Sequence, residues 1–418
     1  MSAALWDAAG AVAEIDEPPP EEVRVPIQRR RRRGFEAEEL DGRSALDLTR
    51  DRDGVLRWVY RPPLRQVRTG RRVYSAAGID QPEVVKRFRF EDLEPNDVTK
   101  ALQDLDTKLN PYRGLRAFAG GQWQDAIPAE KDATLLLVHG TFSKAQMFTD
   151  ELAATPDGQA LLARWQANYG RILGFEHPTL SVGPWYNALD LATPLAAMKG
   201  PVDIVCHSRG GLVVSWLLRL DQLPVRKVTF VGSPLAGTSL ASPYKLRAAL
   251  DLLANYADAI SAAAGVASLA VPFAAGAAGI ARIFGKTLRL GSSLPITDAA
   301  VALVPGLAAQ QHTSNNLELL QLFAEDWKTK PTLQGVGANF MPSESAQGWK
   351  FWRRFTNVGG QLAYSAADLV FQDQNDLVVD VGSMAGPEGD PVPFQFLGTG
   401  PTTHHCSYFR DARVLKLL

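Results

Sequence analysis

Ser208, Asp376 and the adjacent pair His404 and His405 follow one another in an order that suits acyl transfer. A serine hydroxyl is a poor nucleophile near neutral pH. It needs a base to take its proton, and the base needs a carboxylate to fix its tautomer and stabilise its positive form. Of the six histidines, His139 and His207 belong to two strand ends, His177 precedes Pro178 on an earlier loop, and His312 lies in an apolar insertion. Only the pair at 404 and 405 falls late enough in the chain to follow the acid. His405 is preferred as base, because His-x-x-Tyr-Phe would start a helix whose aromatic residues anchor the loop; His404 is its competitor. Asp376 is preferred over Asp373 and Asp380, because the Asn-Asp turn opens directly onto Leu377-Val378-Val379. A surface turn is the plainer reading of the same residues.

Ser208 is also well placed locally. Val202 to Val205 read as a short buried strand, Gly210-Gly211 break it, and Leu212-Val213-Val214-Ser215-Trp216-Leu217-Leu218 read as a buried helix. The serine then stands at the corner, where a tight turn holds its hydroxyl clear of the sheet and the helix N-terminus faces any negative charge formed there. The usual G-x-S-x-G pattern reads Cys206-His207-Ser208-Arg209-Gly210. Only a small side chain fits two residues before the serine, and Cys is small enough. An ordinary turn with a capping serine is the alternative. An oxyanion needs two backbone donors, each contributing roughly 2.7–4 kcal/mol. By position these are Arg209, which follows the nucleophile, and Thr141, just past a strand that ends in His139-Gly140.

The elements that must carry these residues alternate. Ala133 to Val138 is a fully apolar run, as a strand covered on both faces requires. After it come a helical stretch Ala145 to Tyr169, a strand Arg171 to Phe175, a helix Trp185 to Met198, the elbow, and a strand Lys227 to Gly232. Such alternation predicts a doubly wound, mostly parallel α/β sheet over residues 115–418, with Leu115 to Phe118 and Gln122 to Ile127 as its first strands. Strand rhythm resumes at Thr332 to Met341, Asp368 to Phe371, Gln374 to Val379 and Thr402 to Phe409. Between about 240 and 320 it lapses into an Ala/Leu/Gly-rich helical region. Ala259 to Ala281 carries no charge, long enough to consider a membrane span. Small residues dominate it, Pro272 interrupts it and aromatic anchors are missing, so a helical lid over an apolar substrate is the expectation.

Residues 41–114 read as a small β-rich N-terminal module: strands around Leu46-Leu48, Val55 to Tyr60 and Phe88-Phe90, then a helix with Val98, Leu102, Leu105 and Leu109 on one face. Residues 1–40 read as a disordered tail, with Pro18-Pro19-Pro20 and the run Arg29 to Arg33. The first twenty residues lack the basic start and apolar run of a secretory signal, so the mature chain is expected to begin at Met1. Formal net charge is -1 over 418 residues, so no overall field draws the protein to nucleic acid. Two cysteines far apart fit a reducing, cytoplasmic setting better than a disulfide scaffold. No His-Glu-x-x-His or Cys/His spacing points to a metal.

Leu136-Leu137-Val138-His139-Gly140-Thr141-Phe142, the elbow, and Val231-Gly232-Ser233-Pro234-Leu235-Ala236-Gly237-Thr238 resemble the lipase-like branch of the α/β-hydrolase superfamily. More narrowly, Gly174-Phe175-Glu176-His177-Pro178-Thr179-Leu180-Ser181, His207 to Val213 and Asn375 to Val379 are similar to a mostly uncharacterised bacterial group within it. The resemblance runs from about Leu115 to the C-terminus without the lid. It implies the α/β-hydrolase fold and carboxyl-ester hydrolysis through an acyl-enzyme, without cofactor, on an ester or lipid substrate. The same triad would serve a thioesterase, amidase or acyltransferase, and a catalytically silent fold could survive as a binding module. Transient membrane contact through the lid or Arg29 to Arg33 belongs with the lipid reading; the oligomeric state is not legible.

Overall fold

The computed structural model of the chain describes residues 44–50, 56–61, 83–90, 98–125, 133–220, 223–238, 304–313, 316–323, 326–341, 374–387 and 392–418, with scattered residues between them, among them the helical stretch 274–280. Of the expected disordered tail, residues 5, 8, 9 and 11 are described and are helical, with Leu5 and Ala9 buried. The rest of it, the Asp53-Gly54 hairpin turn expected between the first two strands, the strand at Asp368 to Phe371 and most of the lid lie outside the described residues.

A three-stranded antiparallel sheet comes first, with β1 (Ser44–Arg50) between β2 (Leu56–Arg61) and β3 (Glu83–Phe90). Helix α1 (Val98–Leu109) follows, burying Val98, Leu102 and Leu105 at helical spacing. Asp106 is buried in the same stripe. A carboxylate there requires partners.

Strands β4 (Gly114–Ala119), β5 (Gln122–Asp125), β6 (Thr134–Val138), β7 (Arg171–Glu176), β8 (Val202–His207), β9 (Val225–Val231), β10 (Thr332–Phe340) and β11 (Phe394–Gly400) make one sheet, ordered β11-β10-β9-β8-β6-β7-β4-β5. From β7 to β11 all pairings are parallel; β4 and β5 add an antiparallel hairpin at one edge. Helices α2 (Gln146–Ala153) and α3 (Pro156–Asn168) connect β6 to β7, α4 (Pro184–Ala196) connects β7 to β8, and α5 (Gly210–Leu220) connects β8 to β9. The short α6 (Leu317–Phe323) precedes β10.

The apolar run of β6 divides by period two. Leu136 and Val138 join a cluster with Leu191 and Leu195 of α4 and Val213, Val214 and Leu217 of α5. Leu135 and Leu137 join another with Phe148, Leu152, Leu161 and Trp165 of α2 and α3 and with Tyr408, Phe409 and Val414. Both faces are covered, which is why the strand carries no polar side of its own. This is the α/β-hydrolase fold, a doubly wound and mostly parallel sheet with a small antiparallel sheet ahead of it.

Three expectations shift. Ala145 to Tyr169 divides in two, because Thr155 caps a new helix by accepting from the Gly158 N–H (3.1 Å) with Pro156 at its first position. Residues 374–379 form a turn closed by an Asn375–Asp380 bridge. Thr402 to Phe409 is not a strand: Ser407 Oγ accepts from the His404 N–H (2.8 Å), folding the segment into turns before Tyr408–Arg410 coils as a single 3₁₀ turn.

Candidate active site

Ser208 adopts φ +54°, a left-handed conformation that costs a non-glycine residue of order 1–3 kcal/mol. Its backbone is fixed on both sides: its N–H donates to Val231 O (3.0 Å) and its carbonyl accepts from the Gly211 N–H (2.9 Å). Close packing explains the glycines around it. A Cβ on Gly210 would lie 2.3 Å from Val138 O, and one on Gly211 2.4 Å from Ser233 Oγ. Cys206 fills the position two residues earlier, fully buried, its thiol donating to Thr229 O (3.5 Å). Burial pushes that thiol well up, so it stays protonated and inert.

Asp376 stands on the turn after β10 and is wholly buried. Oδ1 accepts from the Val378 N–H (3.1 Å) and the Val379 N–H (2.8 Å). Oδ2 takes His405 Nδ1 (2.8 Å) and the Tyr408 hydroxyl (2.9 Å). Tyr408 is raised far above its ordinary value by burial and by the neighbouring carboxylate, so it remains a donor, and its oxygen accepts in turn from the Ala338 N–H (3.0 Å). Gly232 makes room for this cluster. A Cβ there would meet the Tyr408 ring at 2.6 Å and Asp376 Oδ2 at 3.2 Å.

Of the adjacent histidines, His405 rather than His404 meets the acid. His405 is 2 % exposed, its N–H donates to Asp376 O (3.0 Å), and its carbonyl pairs with Nε2 of His207 (2.9 Å), the residue before Ser208. The two imidazoles lie 4.7 Å apart between centroids. Burial holds His207 far below the ordinary histidine value, so it is neutral, and the facing carbonyl marks Nε2 as the protonated nitrogen. His404 points elsewhere, edge-on to Phe340 at 5.8 Å, and lines a cavity of about 610 Å³ with Thr403, Ser407, Arg410 and Arg413. Among the described hydrogen bonds none joins Ser208 Oγ to the His405 ring. Such contacts are often long until substrate is bound.

Gly140 abuts the serine: a Cβ on it would lie 2.6 Å from Ser208 Cβ. Among the described hydrogen bonds none uses the N–H of Thr141 or of Arg209, so both remain as donors. The Arg209 guanidinium turns away from the serine into the protein, donating to Val182 O (2.7 Å) and Asn187 Oδ1 (2.9 Å). Burial lowers it to about 10, against the pull of Asp106 and Glu318.

Behind Thr141 lies a polar cluster that the sequence did not announce. His139 Nδ1 faces Gly140 O (2.9 Å) and its Nε2 faces Glu176 Oε2 (3.4 Å). Glu176 also accepts from Asn110 Nδ2 (2.7 Å) and, through both oxygens, from the Ala145 N–H (3.2 Å). Burial pushes its carboxyl up, but the bonds from His139, Asn110 and Ala145 outweigh this and hold it below the ordinary value. His177 stacks on His139 with centroids 4.0 Å apart. The signal was a charged residue closing the apolar strand Ile172-Leu173-Gly174-Phe175.

Together, the parallel sheet, a strained serine at a strand-to-helix corner and a buried His–Asp pair beside it define a protein of the α/β-hydrolase fold with a candidate site at that corner. A model of the family described as Domain of unknown function (DUF7379) matches residues 102–418, and the chain belongs to that family. No curated protein matches. Among solved structures the chain is similar to the Bacillus licheniformis lipase BlEst2 in propeptide form, at 16% identity, covering 68% of this chain and 48% of that one, with a TM-score of 0.34. It spans about half the length of that lipase. It is similar also to lipase 1 from Pelosinus fermentans (14% identity, 70% and 100% covered, TM-score 0.37) and to the Cif epoxide hydrolase from Acinetobacter nosocomialis (12%, 79% and 97%, TM-score 0.38). The fold assignment rests on strand order and elbow geometry, not on these likenesses.

Proposed function

We propose that the protein is a serine hydrolase that cleaves carboxyl esters of apolar, lipid-like acyl groups through an acyl-enzyme. The observation that carries this reading is the buried pair His405 Nδ1–Asp376 Oδ2 at 2.8 Å beside a serine held at φ +54°. With Nδ1–H committed to Asp376, His405 presents Nε2 as the basic nitrogen.

Ser208 Oγ attacks the ester carbonyl carbon as its proton passes to His405 Nε2. The carbonyl oxygen becomes an oxyanion held by the N–H groups of Thr141 and Arg209. Collapse expels the alcohol, which takes the proton from His405 and leaves Ser208 acylated. Water then repeats the sequence, its proton going to His405 and on to Ser208 as the acid departs. Each step moves one proton through one nitrogen and needs no redox partner.

The apolar substrate class is supported by the insertion. Helical residues 274–280 are buried, and a Cβ on Gly276 would meet the Phe142 ring at 2.3 Å. Gln310 bonds Thr141 Oγ1 through Nε2 (3.1 Å). Small apolar residues lying on the oxyanion loop are what a lid over an acyl chain would use. No helix among the described residues is long and apolar enough to cross a membrane.

A fluorophosphonate probe should label the wild type and not Ser208→Ala, and hydrolysis of a short p-nitrophenyl ester should vanish in the same variant. Unchanged turnover in Ser208→Ala would remove the mechanism. Thioester, amide and alternative-acceptor substrates in the same assay separate hydrolysis of esters from the other acyl transfers that this chemistry permits.

A further inference from the structure

Asp106 is 2 % exposed and stands on α1, ahead of the main sheet, yet its carboxylate receives the backbone of a loop at the far end of β7. Oδ1 accepts from the Thr179 N–H (2.8 Å) and the Leu180 N–H (3.0 Å); Oδ2 accepts from the Ser181 N–H (2.7 Å) and Ser181 Oγ (2.6 Å). The Thr179 hydroxyl also turns its proton to Oδ1 (3.4 Å), which leaves its lone pairs for the N–H of Phe142 (3.3 Å). Phe142 is a non-glycine residue at φ +58° and directly follows Thr141. Asn110, just past the end of α1, reaches the other side of the same loop through Glu176, which holds His139 and the Ala145 N–H.

We propose that Asp106 and Asn110 are positioning residues that make α1 a brace for the oxyanion loop, with Thr179 relaying the hold of Asp106 to Phe142. This rests on the serine-hydrolase reading above. A strained residue stays in place only where its surroundings over-determine it, and here the N–H that fixes Phe142 is taken by a hydroxyl that Asp106 itself orients. Releasing Phe142 lets the preceding peptide rotate, and the Thr141 donor then misses the developing oxyanion.

The full chain is assayed on p-nitrophenyl butyrate. Thr179→Val, isosteric but without an acceptor, should lower kcat about tenfold or more with KM within about twofold, because a misaimed donor costs the transition state and not the ground state. Thr179→Ser, which keeps the acceptor, should restore most of it. Asp106→Asn should fall in the same way wherever its melting curve shows it folded. Wild-type kcat in Thr179→Val, or an equal loss in Thr179→Ser, overturns the brace and leaves the hydrolase reading intact. Absence of Ser208-dependent turnover in the wild type overturns both.

Discussion

Replacing Asp376 by Asn tests the proposed mechanism most directly, because the structure dictates how the amide must sit. Four donors converge on this carboxylate: the N–H groups of Val378 and Val379 on Oδ1, and His405 Nδ1 with the Tyr408 hydroxyl on Oδ2. An amide has one acceptor oxygen. The two backbone N–H groups cannot turn away, so the oxygen takes their side and the NH₂ faces His405 and Tyr408. His405 must then accept at Nδ1 and carry its proton on Nε2, the nitrogen that has to receive the proton of Ser208. Tautomer reversal of this kind lowers kcat by about 10⁴-fold, about 5.5 kcal/mol of transition-state stabilisation. The fold should lose far less. One hydrogen bond to Tyr408 goes, about 1 kcal/mol, and its oxygen still serves Ala338. The assay is steady-state hydrolysis of p-nitrophenyl butyrate at pH 8, with a thermal melt of the same sample. Asp376→Asn retaining more than about a tenth of wild-type kcat would refute the roles given to Asp376 and His405.

Gly232→Ala should combine a left-handed alanine, about 1–2 kcal/mol, with a Cβ driven into the Tyr408 ring and Asp376 Oδ2; kcat should fall about 100-fold, and unchanged activity would mean that Asp376 need not be held there. Stability should fall on acidification. Burial keeps His404 at about 4 in the folded chain against 6.5 ordinarily, so the unfolded chain binds its proton first; this contribution is complete above about 6.5 and is lost as pH falls through about 4. Burial also depresses His177 and His207, and they act in the same direction. Tm followed from pH 7.5 to 4 should drop, less steeply in His404→Asn; an identical slope in that variant would clear His404. Deleting part of 259–281 should shift preference among p-nitrophenyl esters of different acyl length, and an unaltered profile would mean that the insertion does not meet the substrate.

What could be read without coordinates follows from what physics constrains in one dimension. A parallel strand covered on both faces is apolar along most of its length, so β6 and, apart from Asp203 near its start, β8 up to Cys206 are legible as runs, and the corner between β8 and α5 as the place where glycines interrupt one. The choice between His404 and His405 was harder, because adjacent residues on an irregular turn point in different directions. Tyr-Phe three residues on was the only local cue, and it leads to the Tyr408 hydroxyl that shares Asp376 Oδ2 with His405. Pro156 should have divided the helical stretch before it, since proline belongs at a first turn and not in an interior.

Asp106 is the more instructive omission. Leu102, Leu105 and Leu109 mark a stripe at helical spacing, and a residue one place after Leu105 falls inside that stripe, where an ionised carboxylate cannot remain without donors. That much the sequence states. It does not state the partner, because three of the donors are the consecutive N–H groups of Thr179, Leu180 and Ser181, which any residue type supplies, and only the hydroxyls of Thr179 and Ser181 add side-chain donors to them. A helix read from its apolar spacing into the N-terminal module thus reaches the proposed oxyanion loop by bonds drawn mostly from backbone N–H groups, which residue type does not mark. A buried acid on the apolar face of a helix therefore signals a loop it must hold, and the neighbouring reactive centre is the first place to look for that loop.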